Sequence, residues 1–161
     1  MTTHLSPVGE LTLASDGTSL TGLWLAGQKY FGSTLRPNAQ HFPRLSVFEE
    51  TIHWLDIYFS GVTPPQLPPL APQGSPFRQA VWTLLSEIPY GGTTTYGTLA
   101  KQLQKLGIPA AAQAVGGAVG HNPILILIPC HRVLGSNGSL TGYAAGLDVK
   151  QRLLQLEGYH L

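Results

Sequence analysis

Hydrophobic and polar residues alternate between Leu11 and Leu25, and the alternation is interrupted at Asp16-Gly17. Alternation with a period of two places every second side chain on the same face of a strand. An Asp-Gly pair favours the tight turn that joins two antiparallel strands. The pattern therefore predicts a β-hairpin.

Between Phe42 and Tyr58 the spacing changes to three and four, which is typical of a helix with one buried face; its apolar positions are Leu45, Phe48, Ile52, Leu55, Tyr58 and Phe59. Ser46 is predicted to cap this helix, because Glu49 follows three residues later and completes a capping box. The hairpin and the helix together predict a small N-terminal α/β domain with an antiparallel sheet over residues 1–63.

The next segment is rich in proline, with Pro64, Pro65, Pro68, Pro69 and Pro72. Proline fixes φ and removes a backbone donor, so this segment is predicted to form neither a helix nor an interior strand. We interpret residues 64–74 as a linker and residues 75–161 as a second, mainly helical domain. The predicted fold class is α+β.

The second domain opens with Ser75-Pro76, an N-cap residue followed by proline in the first helical turn. One apolar face marks the helix that follows, with Phe77, Val81, Leu84, Leu85 and Ile88. The sequence Pro89-Tyr90-Gly91-Gly92 is predicted to end it.

A helix at about residues 95–106, a turn at Gly107-Ile108-Pro109 and a helix of small residues at about 110–119 come next. This is the outline of a helix-turn-helix, whose second helix lies in a DNA groove. An ordinary helical hairpin has the same outline. The pattern alone leaves both interpretations open.

The apolar run Ile124–Ile128 leads into Pro129 and then into Cys130. A lone cysteine after such a run is commonly a small core residue. Pro129, however, places Cys130 at a turn, and the neighbouring His131 and Arg132 favour a thiolate. The residues alone are compatible with a core thiol and with a reactive one. Farther on, Asn137-Gly138 predicts a tight turn, and residues 147–156 predict a last helix that ends before Gly158.

Composition excludes several classes to which this chain could otherwise belong. Hydrophobic residues make up 43% of the 161 residues and charged residues 11%, which excludes a disordered chain. The formal net charge is −2 over residues 1–63 and +3 from residue 74 onward, so a nucleic-acid partner is expected on the C-terminal part. The single cysteine excludes an internal disulfide and a multi-cysteine zinc site. The sequence shows neither a secretion signal nor a membrane-spanning stretch, and we expect a cytoplasmic protein.

The segment Ile128-Pro129-Cys130-His131-Arg132-Val133 resembles the active-site signature of the O(6)-alkylguanine-DNA alkyltransferases, also called methylated-DNA–protein-cysteine methyltransferases. The resemblance continues in the family's order at residues 90–96, 114–118, 122–123, 142–143 and 150–158. It covers nearly everything from Ser75 to Gly158. The N-terminal part resembles the family only in its general character.

This resemblance implies direct-reversal repair by a protein that works once. Cys130 is then the acceptor of the alkyl group of O(6)-alkylguanine, and O(4)-alkylthymine is a second candidate lesion. His131 acts as the base through a water molecule, and Glu157 orients His131. Tyr96 protonates or hydrogen-bonds the departing purine and helps to push the base out by crowding its phosphate. The partner implied is double-stranded DNA, bound by a monomer. No cofactor is expected, and no metal is expected because the histidines lack ligand spacing.

The resemblance also implies a base-flipping mechanism with two sets of contact residues. The pocket for the flipped guanine is expected to include Asn122, Val133, Tyr143 and Ala144. The DNA contacts are expected in a winged helix-turn-helix, at Tyr96, Gly97, Gln113, Ala114 and Ser136. Gln113 departs from the family, which usually has an arginine finger there, and we interpret it as a weaker finger without the positive charge.

Two alternative functions remain at this point. The first is a lesion sensor that binds alkylated DNA without removing the alkyl group, as do relatives that lack the acceptor cysteine. The second is a hydrolase with a Cys-His-Glu triad, which needs an oxyanion hole and turns over repeatedly. The presence of Cys130 disfavours the sensor, and the absence of a nucleophile-elbow motif disfavours the hydrolase.

Overall fold

The computed structural model describes residues 1–160, and the chain divides into two compact units. The first unit comprises residues 1–73 and 123–125, and the second comprises residues 74–122 and the chain from residue 126 onward. The domain limits 1–63 and 75–161 remain predictions, and Leu161 lies outside the described residues. Within residues 1–160, no helix is both long enough and apolar enough to span a membrane.

The sheet of the first unit has three antiparallel strands in the order β1-β2-β3: β1 Thr2–Ser6, β2 Gly9–Ser15 and β3 Leu20–Leu25. Strands β2 and β3 are the predicted hairpin. The sequence did not predict β1, because Thr2-Thr-His-Leu-Ser6 is mostly polar and has no alternating apolar face. This strand is held by its backbone pairing with β2.

Helix α1, Ser46–Phe59, packs in the same unit with Phe48, Leu55 and Tyr58 fully buried. The predicted cap is wrong. Leu45 is the N-cap residue in an extended conformation, and no side chain caps the helix, because Ser46 itself is already helical. At this end of the helix the Phe48 and Glu49 amides donate instead to the Leu45 backbone carbonyl, at 2.9 and 3.1 Å.

The proline-rich segment runs beside β3. The Leu20 amide donates to the Pro69 carbonyl at 2.8 Å, and the Ala71 amide donates to the Leu20 carbonyl at 2.8 Å. These bonds join the segment to the first unit. It contains no helix, as proline chemistry predicts.

Up to residue 160, the second unit contains four α-helices and a pair of two-residue strands: α2 Pro76–Ser86, α3 Tyr96–Lys105, α4 Ala112–Gly120, α5 Leu147–Leu156, β4 Thr94–Thr95 and β5 Val133–Leu134. The two short strands are parallel. Ser75 caps α2 as predicted, since its hydroxyl accepts a hydrogen bond from the Arg78 amide at 3.2 Å. The bounds of α5 are those predicted, and Gly158 follows with φ +94°.

Helices α3 and α4 form the predicted helix-turn-helix. Gly107 makes the turn at φ +79°, and the Ile108 amide donates to the Leu103 carbonyl at 3.0 Å. Helix α4 is fixed against α2 by the Trp82 indole, whose Nε1 donates to the Ala118 carbonyl at 2.9 Å. Its opposite side, including Gln113 and Ala114, is exposed.

The apolar run after α4 is neither a helix nor a continuous strand. The Leu23 amide donates to the Pro123 carbonyl at 2.8 Å, and the Leu125 amide donates to the Leu23 carbonyl at 3.0 Å. Residues 123–125 thus pair with β3 and belong to the first unit. Ile126, which follows, is buried and has φ +72°, a conformation that β-branched residues rarely adopt.

Candidate active site

Cys130 begins a 3₁₀ turn that comprises Cys130–Arg132. Pro129 precedes it with φ −82° and ψ 64°, and the Cys130 amide donates to the Ile128 carbonyl at 2.8 Å. The turn leads directly into β5, which pairs with β4 at the start of α3. Backbone hydrogen bonds therefore fix the chain before and after Cys130, and this residue is almost completely buried.

Asn122 and Tyr143 lie beside this thiol. The Asn122 Nδ2 group donates to the Ile128 carbonyl at 2.7 Å, which ties the end of α4 to the segment before Cys130. Burial raises the pKa of the Cys130 thiol above its ordinary value. Hydrogen bonds with Asn122 and Tyr143, and the positive charge of Lys150, act in the opposite direction on this pKa.

The carboxylate of Glu157 binds two basic side chains at the end of α5. Its Oε2 lies 2.5 Å from Nε2 of His131, and its Oε1 accepts a hydrogen bond from Nε of Arg132 at 2.7 Å. Arg132 also donates from Nη1 to the Ile88 carbonyl at 2.7 Å, and its guanidinium lies over the Tyr90 ring. All three members of the cluster are buried, so water screens their attraction little.

Its environment shifts the His131 ring toward its neutral form. Burial lowers the pKa of this imidazole, although Glu157 acts in the opposite direction. Because Nε2 faces the Glu157 carboxylate, it carries the ring proton and Nδ1 is left as the basic nitrogen. Nδ1 is buried and has no hydrogen-bond partner among residues 1–160. The ring is thus fixed in the tautomer that can accept a proton at Nδ1.

Tyr96 is the first residue of α3, placed there by the Thr95 cap. Its hydroxyl donates to the Thr141 carbonyl at 3.1 Å. Burial raises the pKa of Tyr96, so the phenol keeps its proton at neutral pH. Gly116 of α4 lies against the Tyr96 ring, where an added Cβ would meet ring carbons at 3.9 Å.

The other predicted site residues are placed as follows. Val133 is buried directly after the 3₁₀ turn, and Ala144 is half-buried one residue beyond Tyr143. Gln113 and Ala114 are exposed in the first turn of α4, and Ser136 is exposed in the loop after β5. Gly97 faces open space in the first turn of α3. The structure thus collects the predicted acceptor, base and orienting acid, whereas the predicted DNA contacts lie on the surface of the second unit.

Two residues of this cluster have no role in the sequence-based prediction. Arg132 was considered only as a cation next to Cys130, and its bond to Glu157 depends on the tertiary structure. Lys150 could have been found, because it occupies the apolar face of α5, three residues after Leu147 and three before Leu153. A lysine in such a position is buried only when the fold gives it acceptors. Within residues 1–160 no group of His, Cys, Asp or Glu side chains could hold a metal ion.

Comparison with protein families covers both units. Residues 76–159 match the model of the 6-O-methylguanine DNA methyltransferase DNA binding domain. Residues 1–65 match the model of the ribonuclease-like domain of the same methyltransferases. The chain belongs to the 6-O-methylguanine DNA methyltransferase family.

Individual relatives agree. The chain is 44% identical over 154 residues to the methylated-DNA–protein-cysteine methyltransferase of Methanosarcina acetivorans, covering 95% of this chain and 94% of that protein. It is likewise 44% identical over 153 residues to the enzyme of the same name from Mycobacterium tuberculosis, covering 94% and 88%. A crystal structure of Mycobacterium tuberculosis OGT in complex with DNA matches with a TM-score of 0.86 and 44% identity, covering 97% and 91%. The predicted family, the α+β fold class and direct-reversal repair by alkyl transfer to a cysteine are therefore confirmed.

Proposed function

We propose that this protein repairs O(6)-alkylguanine in double-stranded DNA by moving the alkyl group to Cys130. The observation that carries the proposal is the position of the single cysteine, which is buried at the start of the 3₁₀ turn, next to His131 and near Asn122 and Tyr143. Support for DNA as the partner comes from the family and from a relative whose crystal structure contains DNA.

The proposed reaction starts with loss of the thiol proton. His131 accepts this proton at Nδ1 through a water molecule, and the Glu157 carboxylate stabilises the resulting imidazolium. The sulfur attacks the alkyl carbon in line, so that an S–C bond forms while the C–O(6) bond breaks. The departing guanine takes a proton from Tyr96, which recovers one from solvent. The proton on His131 returns to solvent.

The product explains why the protein works once. The acceptor becomes a thioether, which is a poor leaving group at neutral pH, and the sequence has no second cysteine to take the alkyl group. Each molecule is therefore consumed by one lesion. The Cys-His-Glu hydrolase is disfavoured because both units match the 6-O-methylguanine DNA methyltransferase family, which a hydrolase would leave unexplained.

The alkylated atom lies inside the duplex, so the nucleotide must leave the base stack. In the proposed complex α4 enters the groove, because its exposed side carries only small residues and Gln113. Gln113 replaces the flipped base and hydrogen-bonds its orphaned partner. Gln113→Ala should slow repair of duplex DNA and leave reaction with the free base O(6)-benzylguanine unchanged. If the duplex rate is also unchanged, Gln113 is not a finger.

Intact mass and peptide mapping test the proposal after the protein is mixed with a duplex that contains one O(6)-methylguanine. The expected result is one methyl group on the Cys130 peptide, an equal amount of restored guanine and no second round. Cys130→Ala is the control and should gain no mass. DNA binding without any gain of mass by the unmodified protein would favour the lesion sensor. A matched duplex with O(4)-methylthymine tests the second lesion.

A further inference from the structure

Lys150 is a buried cation without a carboxylate partner. The residue is 0% exposed, and none of the salt bridges among residues 1–160 includes it. Its Nζ donates instead to the carbonyls of Val133, Thr141 and Gly142, at 2.5, 2.9 and 3.3 Å. A buried charge held only by neutral dipoles is costly. An anion that interacts with the Lys150 ammonium group would offset this cost.

The three carbonyls belong to the two segments that flank the thiol. Val133 follows the 3₁₀ turn of Cys130, and Gly142 precedes Tyr143, which lies beside the thiol and acts to lower its pKa. The Thr141 carbonyl also accepts the Tyr96 hydroxyl. The ammonium group therefore lies at the junction of the acceptor and the proposed proton donor to the purine.

Electrostatics link Lys150 to Cys130 in both directions. The Lys150 charge acts to lower the pKa of the thiol, and ionisation of the thiol acts to raise the pKa of Lys150. Burial lowers the pKa of Lys150 to about 8, so the amine is mostly charged at neutral pH. The other ionisable side chains of the cluster are Arg132 and His131, which both bind the Glu157 carboxylate, and burial shifts His131 toward its neutral form. The Cys130 thiol becomes an anion when it loses its proton, and this thiolate can pair with the Lys150 charge.

We propose that Lys150 is the counter-charge of the Cys130 thiolate, whose ammonium group stabilises the anion formed when the thiol loses its proton. This inference rests on the proposed transfer to Cys130. Lys150 itself exchanges no proton and forms no bond in the step. The proton still goes to His131, and the sulfur still attacks the alkyl carbon.

Iodoacetamide tests the inference, because it alkylates sulfur with loss of iodide and the chain has one cysteine. The rate is followed by intact mass from pH 6.5 to 10 for the unmodified protein and for Lys150→Met. A counter-charge predicts that the variant is at least about tenfold slower at pH 7, equivalent to one pKa unit of the thiol. The two rates should converge near pH 10, where Lys150 is itself neutral. Equal slowing at every pH, or no slowing at pH 7, would overturn the inference.

Lys150→Arg provides a second test that does not require a neutral side chain to be tolerated. The guanidinium stays charged throughout this pH range. The rate of the arginine variant relative to the unmodified protein should therefore rise severalfold between pH 7 and 9.5, as Lys150 loses its charge. A constant ratio would show that Lys150 only anchors the two segments. Failure of the repair proposal is separate, since it would appear as no methyl transfer from DNA to the unmodified protein.

Discussion

The two units differ in the polar groups that they bury. Within residues 1–160, the buried polar side chains of the first unit are all uncharged: Thr2, Ser6, Thr12, Thr21, Gln28 and Thr51. In the second unit they are Asn122, His131, Arg132, Lys150 and Glu157, of which only the first cannot ionise. Burying a charge costs far more than burying a hydroxyl or an amide. The first unit is therefore organised by apolar packing, and the second retains a costly set of groups because its chemistry needs them.

The histidine–carboxylate pairs of the two units show the same difference in burial. In the first unit, His4 lies 3.3 Å from Asp56, and the two side chains are 22% and 65% exposed. In the second, His131 lies 2.5 Å from Glu157, and the side chains are 0% and 1% exposed. Water screens the first pair and is excluded from the second. A histidine–carboxylate pair should thus contribute less to the free energy of unfolding in the first unit than in the second.

The largest effect is expected from Cys130→Ala. Transfer from O(6)-methylguanine DNA should fall below detection, while the free energy of unfolding should change by about 1 kcal/mol or less, because a buried cysteine packs as a small apolar residue. Thr51→Ala is the matched change in the first unit and should keep full transfer. Mass spectrometry and urea unfolding measure the two quantities. Residual transfer by the alanine variant would remove Cys130 as the acceptor.

Glu157→Ala should reduce the free energy of unfolding by about 3–5 kcal/mol, because it leaves His131 and Arg132 buried without their carboxylate. Asp56→Ala removes the carboxylate of the exposed pair and should cost about 0–1 kcal/mol. Urea titration at pH 7 followed by circular dichroism compares the two variants. Similar losses at the two sites would contradict the distinction between the units.

The pH dependence of stability should reveal the buried Lys150. The unfolded chain protonates this amine below its ordinary pKa of 10.5, whereas burial lowers the pKa in the unmodified folded chain to about 8. A Cys130→Ala background removes the thiol, which acts to raise the pKa of Lys150, so the gap between the two states is not narrowed. The unfolded state thus binds more protons between these values, and the free energy of unfolding should rise with pH by up to about 3 kcal/mol.

Adding Lys150→Met should remove this rise, and Lys29→Met, at an exposed position of the first unit, should leave it in place. Urea titrations at pH 8, 9 and 10 provide the comparison. If the free energy of unfolding still rises with pH in the Lys150→Met variant, the rise must come from other groups.

The smallest effect compares two helix starts. Ser75→Ala in the second unit removes a real cap and should cost about 1 kcal/mol. Ser46→Ala in the first unit removes a hydroxyl that caps nothing and should change stability by about 0.5 kcal/mol or less. Thermal unfolding resolves the two. A larger loss at Ser46 would mean that its hydroxyl stabilises α1 in another way.

Local patterns explain which parts of the fold could be predicted. The Asp16-Gly17 turn, the Ser75-Pro76 cap and the apolar spacing of α5 are short-range features, and the elements they predicted are present. Strand β1 was missed because its partner, not its own pattern, makes it a strand. The cap at Ser46 was predicted wrongly because the helix begins one residue earlier than the Ser46-to-Glu49 pattern requires, so that Ser46 is itself helical.

The candidate site divides in the same way. The motif around Cys130 is contiguous, so the acceptor and the histidine next to it could be predicted from sequence. Glu157 required the family resemblance, because it lies 26 residues from His131. The carbonyl acceptors of Lys150 could not be predicted at all, since backbone atoms carry no residue identity. The burial of Lys150 could be predicted from its place on the apolar face of α5, but its backbone partners could not.

The pairing of residues 123–125 with β3 has a consequence for synthesis of the chain. Leu23 and Ile124 pair across about a hundred residues. At about 5–20 residues per second, the ribosome needs about 5–20 s to deliver the second partner after the first. During that time this part of the β3 edge is open to other strands, including those of neighbouring nascent chains. The unit that is synthesised first is therefore completed only after most of the second unit has been made.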